Sequence, residues 1–390
     1  MKHEKITQKF ISFLEKDENL KNLVKKNLEI AKKNNPDKTT NPAQSLEELY
    51  DFLDWSVKCM PWKCLKNAKY SDLFTAMDQT TGYFWYIFDQ PLDELKDKGF
   101  YYPTLQYLEP IASWIKEYSI TWGKFLSKKK SWNDDYYKLA LSDEKFGLTK
   151  GWYGDKNIWK TYNDFFSRKL IDTSQRPISD ADVVSPADAE PKGFYKIDEN
   201  NMLVNDVNIK SANLNSIEEL LGKTCKYKDA FSGGTLTHTF LNMSDYHRYH
   251  FPIGGRILGL RKIPGANAGG GISEWNKKLK KYIYFNETGF QMIETRDCII
   301  LETEKFGLVA ILPVGMSQVC SCNWEKGLKI GKTVQKGDPM GYFLFGGSDI
   351  IMIFQKHIKV TPLTKKINKN RYLHILMGEP YAKLEIKKHS

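Results

Sequence analysis

An α+β fold is predicted by the order in which the sequence changes texture. Up to about residue 150, apolar side chains recur every three or four positions in tryptophan-rich stretches; beyond it, short apolar or β-branched runs alternate with Gly, Pro and Asn-Asp signals. The 390 residues suffice for two domains and a full-sized core. The chain therefore reads as a helical N-terminal domain, residues 1–150, followed by a β-rich domain, residues 151–390. With 41% hydrophobic and 13% aromatic residues it is globular, not disordered.

The first helical stripe is Ile6, Phe10, Phe13 and Leu14, and the second is Leu20, Leu23, Val24 and Leu28, with Asp17-Glu18-Asn19 between them. A lysine-rich amphipathic stretch can lie on an anionic membrane or face a core, and the core is the expectation. "NNPDKTTNPAQ" (34–44) reads as a linker. Ser45 and Glu48 then stand at capping-box spacing at the head of "SLEELYDFLDWSVKCMPW", and helical texture continues to Trp132. In the second half, "DVVSPADAEPKGFYKI", "GRILGLRKIPG", "KYIYFNETGFQMIET", "CIILETEKFGLVAILPVG" and "IGKTVQKGDPMGYFLFGG" read as strands and hairpins. "IPGANAGGGISEW" (Ile263 to Trp275) lacks the Gly-Lys-Ser/Thr and the strand-to-helix frame of a phosphate loop. It is expected to be a mobile loop, a pocket lid.

The net charge is +11 and the pI about 9.0, but the lysines are scattered among acids. Their tightest clusters, Ser127 to Lys130 and Asn276 to Lys281, read as solvated faces, and no stacking or groove-reading motif accompanies them, so nucleic acid is not an expected partner. Cys59, Cys64, Cys225, Cys298, Cys320 and Cys322 form no paired CxxC set, which argues against a zinc site. The N-terminus has no secretory pattern, and no run reaches the ~20 apolar residues of a membrane span. A reduced, cytoplasmic, soluble protein is expected.

The chemistry concentrates in three segments. "SPADAE" carries Asp188, "SDYHRYHFP" carries His247 and His250, and "FGGSD" carries Ser348. In "GYFLFGGSDIIMIFQK" (341–356), Gly346 and Gly347 are open to two readings. They make a tight turn through positive φ, or they bend the backbone so that a serine oxygen reaches a peptide carbonyl. Alone, His-x-x-His can ligate a metal or sit at a surface; no acidic or cysteine partner stands at metal spacing, so no metal is expected. Asp, His and Ser together make a proton relay. The Gly-x-Ser-x-Gly elbow of many hydrolases is absent, because Asp349 and a β-branched run follow Ser348. The alternative use turns the serine on its own chain, where Gly347 has no Cβ to shield its carbonyl. His3, His238, His357, His374 and His389 are read as core or surface, with a pocket-lining role open for His238. Cys320 and Cys322 are read as small buried hydrophobes.

"FGGS" after "GKTVQKGDPMGYF", together with "YHRYHFPIGGRI", "VVSPADA" and "YNDFFSRKL", resembles the phosphatidylserine decarboxylase family of pyruvoyl enzymes. The front half, with "LEELYDFLDWSVKCMPW" and "TWGKFLS", is similar to the soluble branch that contains the fungal L-tryptophan decarboxylases. The resemblance runs from about residue 45 to the end and implies a cut between Gly347 and Ser348. In it, His250 backed by Asp188 activates Ser348, which becomes a covalent pyruvoyl cofactor that binds a substrate amine as a Schiff base. His247 returns the proton after carbon dioxide leaves. The substrate implied is a free L-amino acid, aromatic in the case of tryptophan, with phosphatidylserine at a membrane surface as the alternative. The two cleaved chains would form a heterodimer, with higher oligomers open, and membrane contact would be peripheral at most. Two departures stand out: Pro-Ala-Asp-Ala replaces Pro-Ala-Asp-Gly, and Asp349 stands where Thr or Ser is usual, which bears on processing and on substrate charge. A serine hydrolase and an unprocessed scaffold relative are the readings from other classes.

Overall fold

The computed structural model describes residues 3–61, 77–204, 216–269, 271–285, 293–316, 321–368 and 371–388. Cys64, Cys320, His389 and the turn within "KYIYFNETGFQMIET" lie outside them. The predicted order of helices followed by strands is what the chain adopts. Helices α1 (Lys5–Lys16) and α2 (Glu18–Asn34) bury Ile6, Phe10 and Leu14, then Leu20, Val24, Leu28 and Ala31. The amphipathic stripes therefore face a core, and the membrane-surface outlet is not the one the described fold uses. Asp17 separates the helices because its carboxylate accepts the Leu20 N–H at 3.0 Å, capping α2.

Residues 34–44 are not a free linker. Asn35, Thr40, Asn41 and Ala43 are buried. Their polar groups are satisfied locally, Asn35 Nδ2 donating to Thr40 Oγ1 at 2.8 Å and Asn41 Nδ2 to the Asn35 carbonyl at 2.9 Å. Composition could not reveal this, since the same residues serve a solvated linker and a self-bonded buried turn. Helix α3 (Leu46–Ser56) starts at Ser45, whose hydroxyl accepts the Glu48 N–H; Glu48 itself reaches back to the Gln44 N–H, so the box is offset by one residue. Helices α4 (Met77–Phe88), α5 (Ile111–Leu126), α6 (Asp134–Ser142) and the short α7 (Tyr162–Phe166) complete the helical part.

The β-rich part is built on a seven-stranded antiparallel sheet. Its spatial order is Thr333–Val334, Gly255–Ile263, Arg296–Glu302, Leu308–Met316, Gly347–Phe354, Thr235–Leu241 and Glu190–Lys196. Both faces are covered, which explains why Gly347–Phe354 is apolar almost throughout. Ile350, Met352 and Phe354 enter the core shared with the helices, whereas Ile351 and Ile353 enter a second core with Leu236, Leu312 and Val314. A three-stranded sheet, Ser321–Trp324, Pro339–Leu344 and Arg248–His250, stands beside it.

The helical part packs directly on the β part. Trp122 of α5 meets Phe345 edge-on at 5.2 Å, and the Tyr282 hydroxyl of the hairpin Ile272–Asn276/Lys281–Phe285 donates to the Thr40 carbonyl. The glycine-rich stretch differs from the expected lid. Residues 272–276 form a strand, and Gln106 brackets the glycines, accepting the Gly269 N–H and donating to the Gly271 carbonyl. Gly269 lies close against the Trp85 ring, where a Cβ would come within 3.0 Å of it and oblige the ring to shift.

Truncating Trp122 tests this contact. Its ring is buried and its Nε1–H donates to the Cys59 carbonyl at 2.6 Å. Trp122→Ala is expected to cost about 3–5 kcal/mol in denaturant unfolding. A loss below about 0.5 kcal/mol would show that the helical part is not held on the sheet by this ring.

Candidate active site

Ser348 is the second residue of the strand Gly347–Phe354. The chain leaves the smaller sheet at Leu344, bends through Phe345 and Gly346, and enters the larger one at Gly347. Gly346 has φ +147°, a backbone region that side chains strain, so the bend needs this glycine. Gly347 is already strand. The feature is thus a switch between sheets rather than a hairpin turn. Ser348 lies opposite Leu241 on one side and Gly315 on the other, is fully buried, and its Oγ has no hydrogen-bond partner. A buried orphan hydroxyl is costly and calls for an explanation.

His247 immediately precedes the strand Arg248–His250 of the smaller sheet, and His250 ends it. His247 Nδ1 faces the Asp245 carbonyl at 2.9 Å and His250 Nδ1 faces the Gly337 carbonyl at 2.9 Å. A carbonyl can only accept, so each ring carries its proton on Nδ1 and presents a basic Nε2. His247 Nε2 is buried and unpartnered, while His250 Nε2 faces the Tyr246 hydroxyl at 3.3 Å. Burial is the main force holding both imidazoles below their ordinary pKa of 6.5. For His247 the nearby Arg168 charge adds to it; for His250 the Gly337 carbonyl and the Asp188 charge oppose it. The His247 ring stacks on Phe166 of α7 at 3.8 Å, and Phe166 in turn meets Phe345 at 5.4 Å. This aromatic chain connects the histidine to the bend before Ser348.

Asp188 is brought to the same region, since the His250 N–H donates to the Pro186 carbonyl at 2.8 Å. Its carboxylate, however, is taken by Arg176, which binds it with Nε at 3.0 Å and Nη2 at 2.7 Å, and by the Met377 N–H at 2.8 Å. Neither link of an Asp188–His250–Ser348 hydrogen-bond chain is formed in this arrangement; Asp188 acts on His250 through its field. Arg176 was not visible as a partner in the sequence. Nor was Arg168, buried behind Tyr153 and donating to the Ser244 and Asp245 carbonyls, which fixes the loop before His247. "YNDFFSRKL" contained Arg168 but gave no sign of its target. His374, read as core or surface, holds Asp245 from the other side at 3.0 Å.

Asp349 points away from Ser348, onto the face of Ile351 and Ile353. It is fully buried, neither oxygen has a hydrogen bond, and His238 Nε2 lies 3.3 Å away. Of the two openings left for His238, it takes a buried place beside this carboxylate. Glu294 approaches the same cluster. Burial pushes its pKa well up and the Asp349 charge adds to the rise, against the Ala268 N–H and Arg296. Arg296 acts on the Glu294 carboxyl through its field alone, for its donors go to the Leu220, Glu294 and Glu219 backbone carbonyls.

A cavity of about 540 Å³ lies between α5 and the β part. Ser119, Gly123, Lys124, Ser127 and Lys128 line one wall, and Asn163, Asn267, Ser321 and Leu344 line the other. Among the described residues, no group of three or more His, Cys, Asp or Glu could hold a metal ion, and no helix is long and apolar enough to cross a membrane. Cys322 is buried, and Cys59, Cys225, Cys298 and Cys322 are free thiols. The chemistry available is therefore a buried hydroxyl beside an unshielded glycine carbonyl, with two neutral imidazoles as proton acceptors.

The family model for phosphatidylserine decarboxylase matches residues 162–383. Phosphatidylserine decarboxylase proenzyme 2 of Oryza sativa subsp. japonica is 32% identical over 246 residues, 62% of this chain and 36% of that protein. The phosphatidylserine decarboxylase proenzyme of Fusobacterium nucleatum subsp. nucleatum is 32% identical over 234 residues, 57% of this chain and 70% of that protein. The L-tryptophan decarboxylase of Psilocybe cyanescens is 27% identical over 284 residues, 63% of this chain and 62% of that protein. The chain thus spans little more than a third of the Oryza protein and under two thirds of the Psilocybe one.

The Glu294 carboxyl makes a prediction about pH. The fold holds its proton more tightly than the unfolded chain does, so its contribution to stability is full below the ordinary value of 4.5 and is lost as pH rises through the folded pKa. Glu294→Gln keeps an acceptor for Ala268 and cannot ionise. Its stability relative to wild type is expected to rise by about 1–3 kcal/mol between acidic and mildly basic buffer. A pH-independent difference in thermal midpoints would refute the assignment.

Proposed function

This chain belongs to the phosphatidylserine decarboxylase family, and from that premise we propose that it matures by cutting itself between Gly347 and Ser348 and then decarboxylates a free L-amino acid. The observation that carries the proposal is the buried, unpartnered Ser348 hydroxyl placed directly after the glycine pair at the sheet switch. A hydroxyl kept from water and from other partners is available to the neighbouring Gly347 carbonyl.

Maturation uses this chain's own groups. A neutral imidazole Nε2, that of His250 in this reading, takes the Ser348 Oγ proton as Oγ attacks the Gly347 carbonyl carbon. The C–N bond then breaks, the nitrogen is protonated, and an ester joins the two halves. Loss of the Ser348 α-proton expels the Gly347 carboxylate and leaves a dehydroalanine; water adds to its imine form and ammonia departs. To serve Ser348, His250 Nε2 exchanges the Tyr246 hydroxyl for the serine, with the Asp188–Arg176 pair fixing the segment behind it. The pyruvoyl group so formed supplies an electrophilic ketone that binds an amine and accepts the electron pair released with carbon dioxide. Ser348, Gly315 and the unpartnered His247 Nε2 fit that group: they offer a buried position, an opposite residue without a side chain, and a nitrogen able to carry a proton to the former α-carbon.

The resulting chains, 1–347 and 348–390, stay associated in this reading. Strand Gly347–Phe354 is paired on both edges, by Thr235–Leu241 and Leu308–Met316, and Pro380–Ile386 pairs with Val183–Val184. The cytoplasm is the proposed location, in keeping with the free thiols. Tryptophan as that amino acid is supported by the resemblance of the front half to the tryptophan decarboxylase branch and by the name of the Psilocybe relative. A second reading, decarboxylation of phosphatidylserine, is favoured by the names of the Oryza and Fusobacterium proenzymes.

Intact mass under denaturing conditions tests maturation. Wild type is expected as two chains, the smaller starting with a pyruvoyl mass. Ser348→Ala and His250→Ala stay whole, and His247→Ala cleaves but turns over at least about 100-fold more slowly. A wild type that remains a single chain overturns the proposal. Because burial holds both imidazoles below 6.5, self-cleavage of freshly synthesised chain should keep more than half of its rate at pH 6.5 and reach its midpoint only in more acidic buffer. A rate halved at pH 6.5 would show that the base is an ordinary, solvated histidine.

A further inference from the structure

We propose that His374, which the cut leaves on the smaller chain, is a positioning residue for turnover. Through Asp245 it fixes the His247 ring, so that the proton returned after carbon dioxide leaves reaches the substrate carbon. The inference rests on the reading of Ser348 as the reactive position and of His247 as the group that returns the proton.

Two hydrogen bonds meet at Asp245. His374 Nε2 donates to its Oδ1 at 3.0 Å, and its carbonyl accepts from His247 Nδ1 at 2.9 Å. Asp245 Oδ2 is taken by the Asn242 N–H at 2.7 Å and by Asn242 Nδ2 at 3.2 Å, which leaves His374 as the partner of Oδ1. Asp245 is buried, so without His374 that oxygen becomes a buried acceptor lacking a donor, and the residue must turn to find one. The carbonyl turns with it. His247 has little else to hold its orientation: its ring stacks on Phe166, a contact that permits rotation in the ring plane, and its Nε2 is unpartnered. The Nδ1 bond therefore decides where Nε2 points.

The same short segment reaches the other histidine by a separate arm. Ile375 and Ala189 exchange both backbone hydrogen bonds at 2.9 Å, and the Met377 N–H donates to Asp188 Oδ1 at 2.8 Å. Residues 374–377 thus hold Asp245 through a side chain and Asp188 through the backbone. Changing the His374 side chain acts on the first arm alone, so maturation, assigned to His250, survives a change that turnover does not. The His374 side chain is 38% exposed, and its removal opens no interior cavity. The consequence is chemical. The electron pair released with carbon dioxide is shared between the former α-carbon and the carbon of residue 348, and either can take the proton. Protonation of the substrate carbon gives the amine, and water restores the ketone. Protonation at residue 348 ends differently: water releases the substrate skeleton as an aldehyde, and the substrate nitrogen stays on the chain, an alanine where the pyruvoyl group stood. A misplaced Nε2 is thereby recorded in the protein itself.

The test compares wild type, His374→Ala and His374→Gln as mature protein, with self-cleavage confirmed by mass in each; all three are expected to cleave. In protein carrying isotope-labelled histidine, the His247 Nδ1–H resonance is identified by its loss in His247→Gln. It is expected to exchange slowly with water in wild type, about tenfold or more faster in His374→Ala, and slowly again in His374→Gln, whose amide can donate to Asp245. This resonance needs no substrate. Turnover is followed with L-tryptophan and with phosphatidylserine in neutral detergent micelles. On the probe that wild type consumes, His374→Ala should lose about tenfold in kcat with KM unchanged, while its smaller chain accumulates alanine at position 348. His374→Gln should recover both. A His374→Ala protein whose His247 resonance is unchanged, or that keeps its kcat and its pyruvoyl end, overturns the inference. So does loss of cleavage together with turnover, which would make His374 a support of the whole fold. A wild type that stays a single chain overturns the reading of Ser348 instead, and mass alone tells the two failures apart.

Discussion

The structure depends on one strand being buried on both faces and both edges. Gly347–Phe354 has a neighbour on each side and an apolar core above and below, and at its head it holds a hydroxyl and a carboxylate pointing opposite ways. Everything polar at that end must be satisfied by protein or remain unsatisfied. Ser348 and Asp349 are both left without hydrogen bonds. The rest of the molecule supplies the surroundings in which that is tolerable: the helices close the Ser348 face, and His238 and Glu294 crowd the Asp349 face.

Charge in this interior is managed by a few long cations. Arg176 binds Asp188 in bidentate fashion and lies over the Trp152 ring at 4.0 Å, and Arg168 gathers the carbonyls that precede His247. A buried pair of this kind adds little net stability, yet losing one partner strands the other. Their effect is on geometry, since they fix the segments that present the two imidazoles. The carbonyls facing Nδ1 then fix which nitrogen of each ring is basic, so positioning and tautomer follow from the backbone rather than from the carboxylate.

What the sequence made legible was local. Stripes such as Ile6, Phe10 and Leu14 declare a buried helical face because period and burial are the same fact. Asp188, His247, His250 and Ser348 stand in short segments whose residue types already limit their chemistry. What escaped was contact at long range. Nothing in "SPADAE" announces Arg176, and nothing in "FGGSD" announces that Asp349 meets His238, 111 positions earlier. Residues 34–44 failed for another reason: polar composition does not distinguish solvation from side chains that bond one another in a buried turn. The glycine-rich stretch before Trp275 gave no sign that Gln106 would bond Gly269 and Gly271, or that Gly269 would lie close against Trp85.

The bend at Phe345 and Gly346 separates two sheets, and it leaves both residues of the Gly347–Ser348 bond in the larger one. Residues up to Leu344 are held by Ser321–Trp324 and Arg248–His250, whereas Gly347 lies against Leu308–Met316 and Ser348 onward gains Thr235–Leu241 as well. Between the sheets the chain is anchored by a side chain, since Phe345 is buried among Trp122, Tyr162 and Phe166. The two sides of that peptide bond are therefore restrained unequally, one by a ladder on both edges and the other by a ladder on one edge and a buried ring.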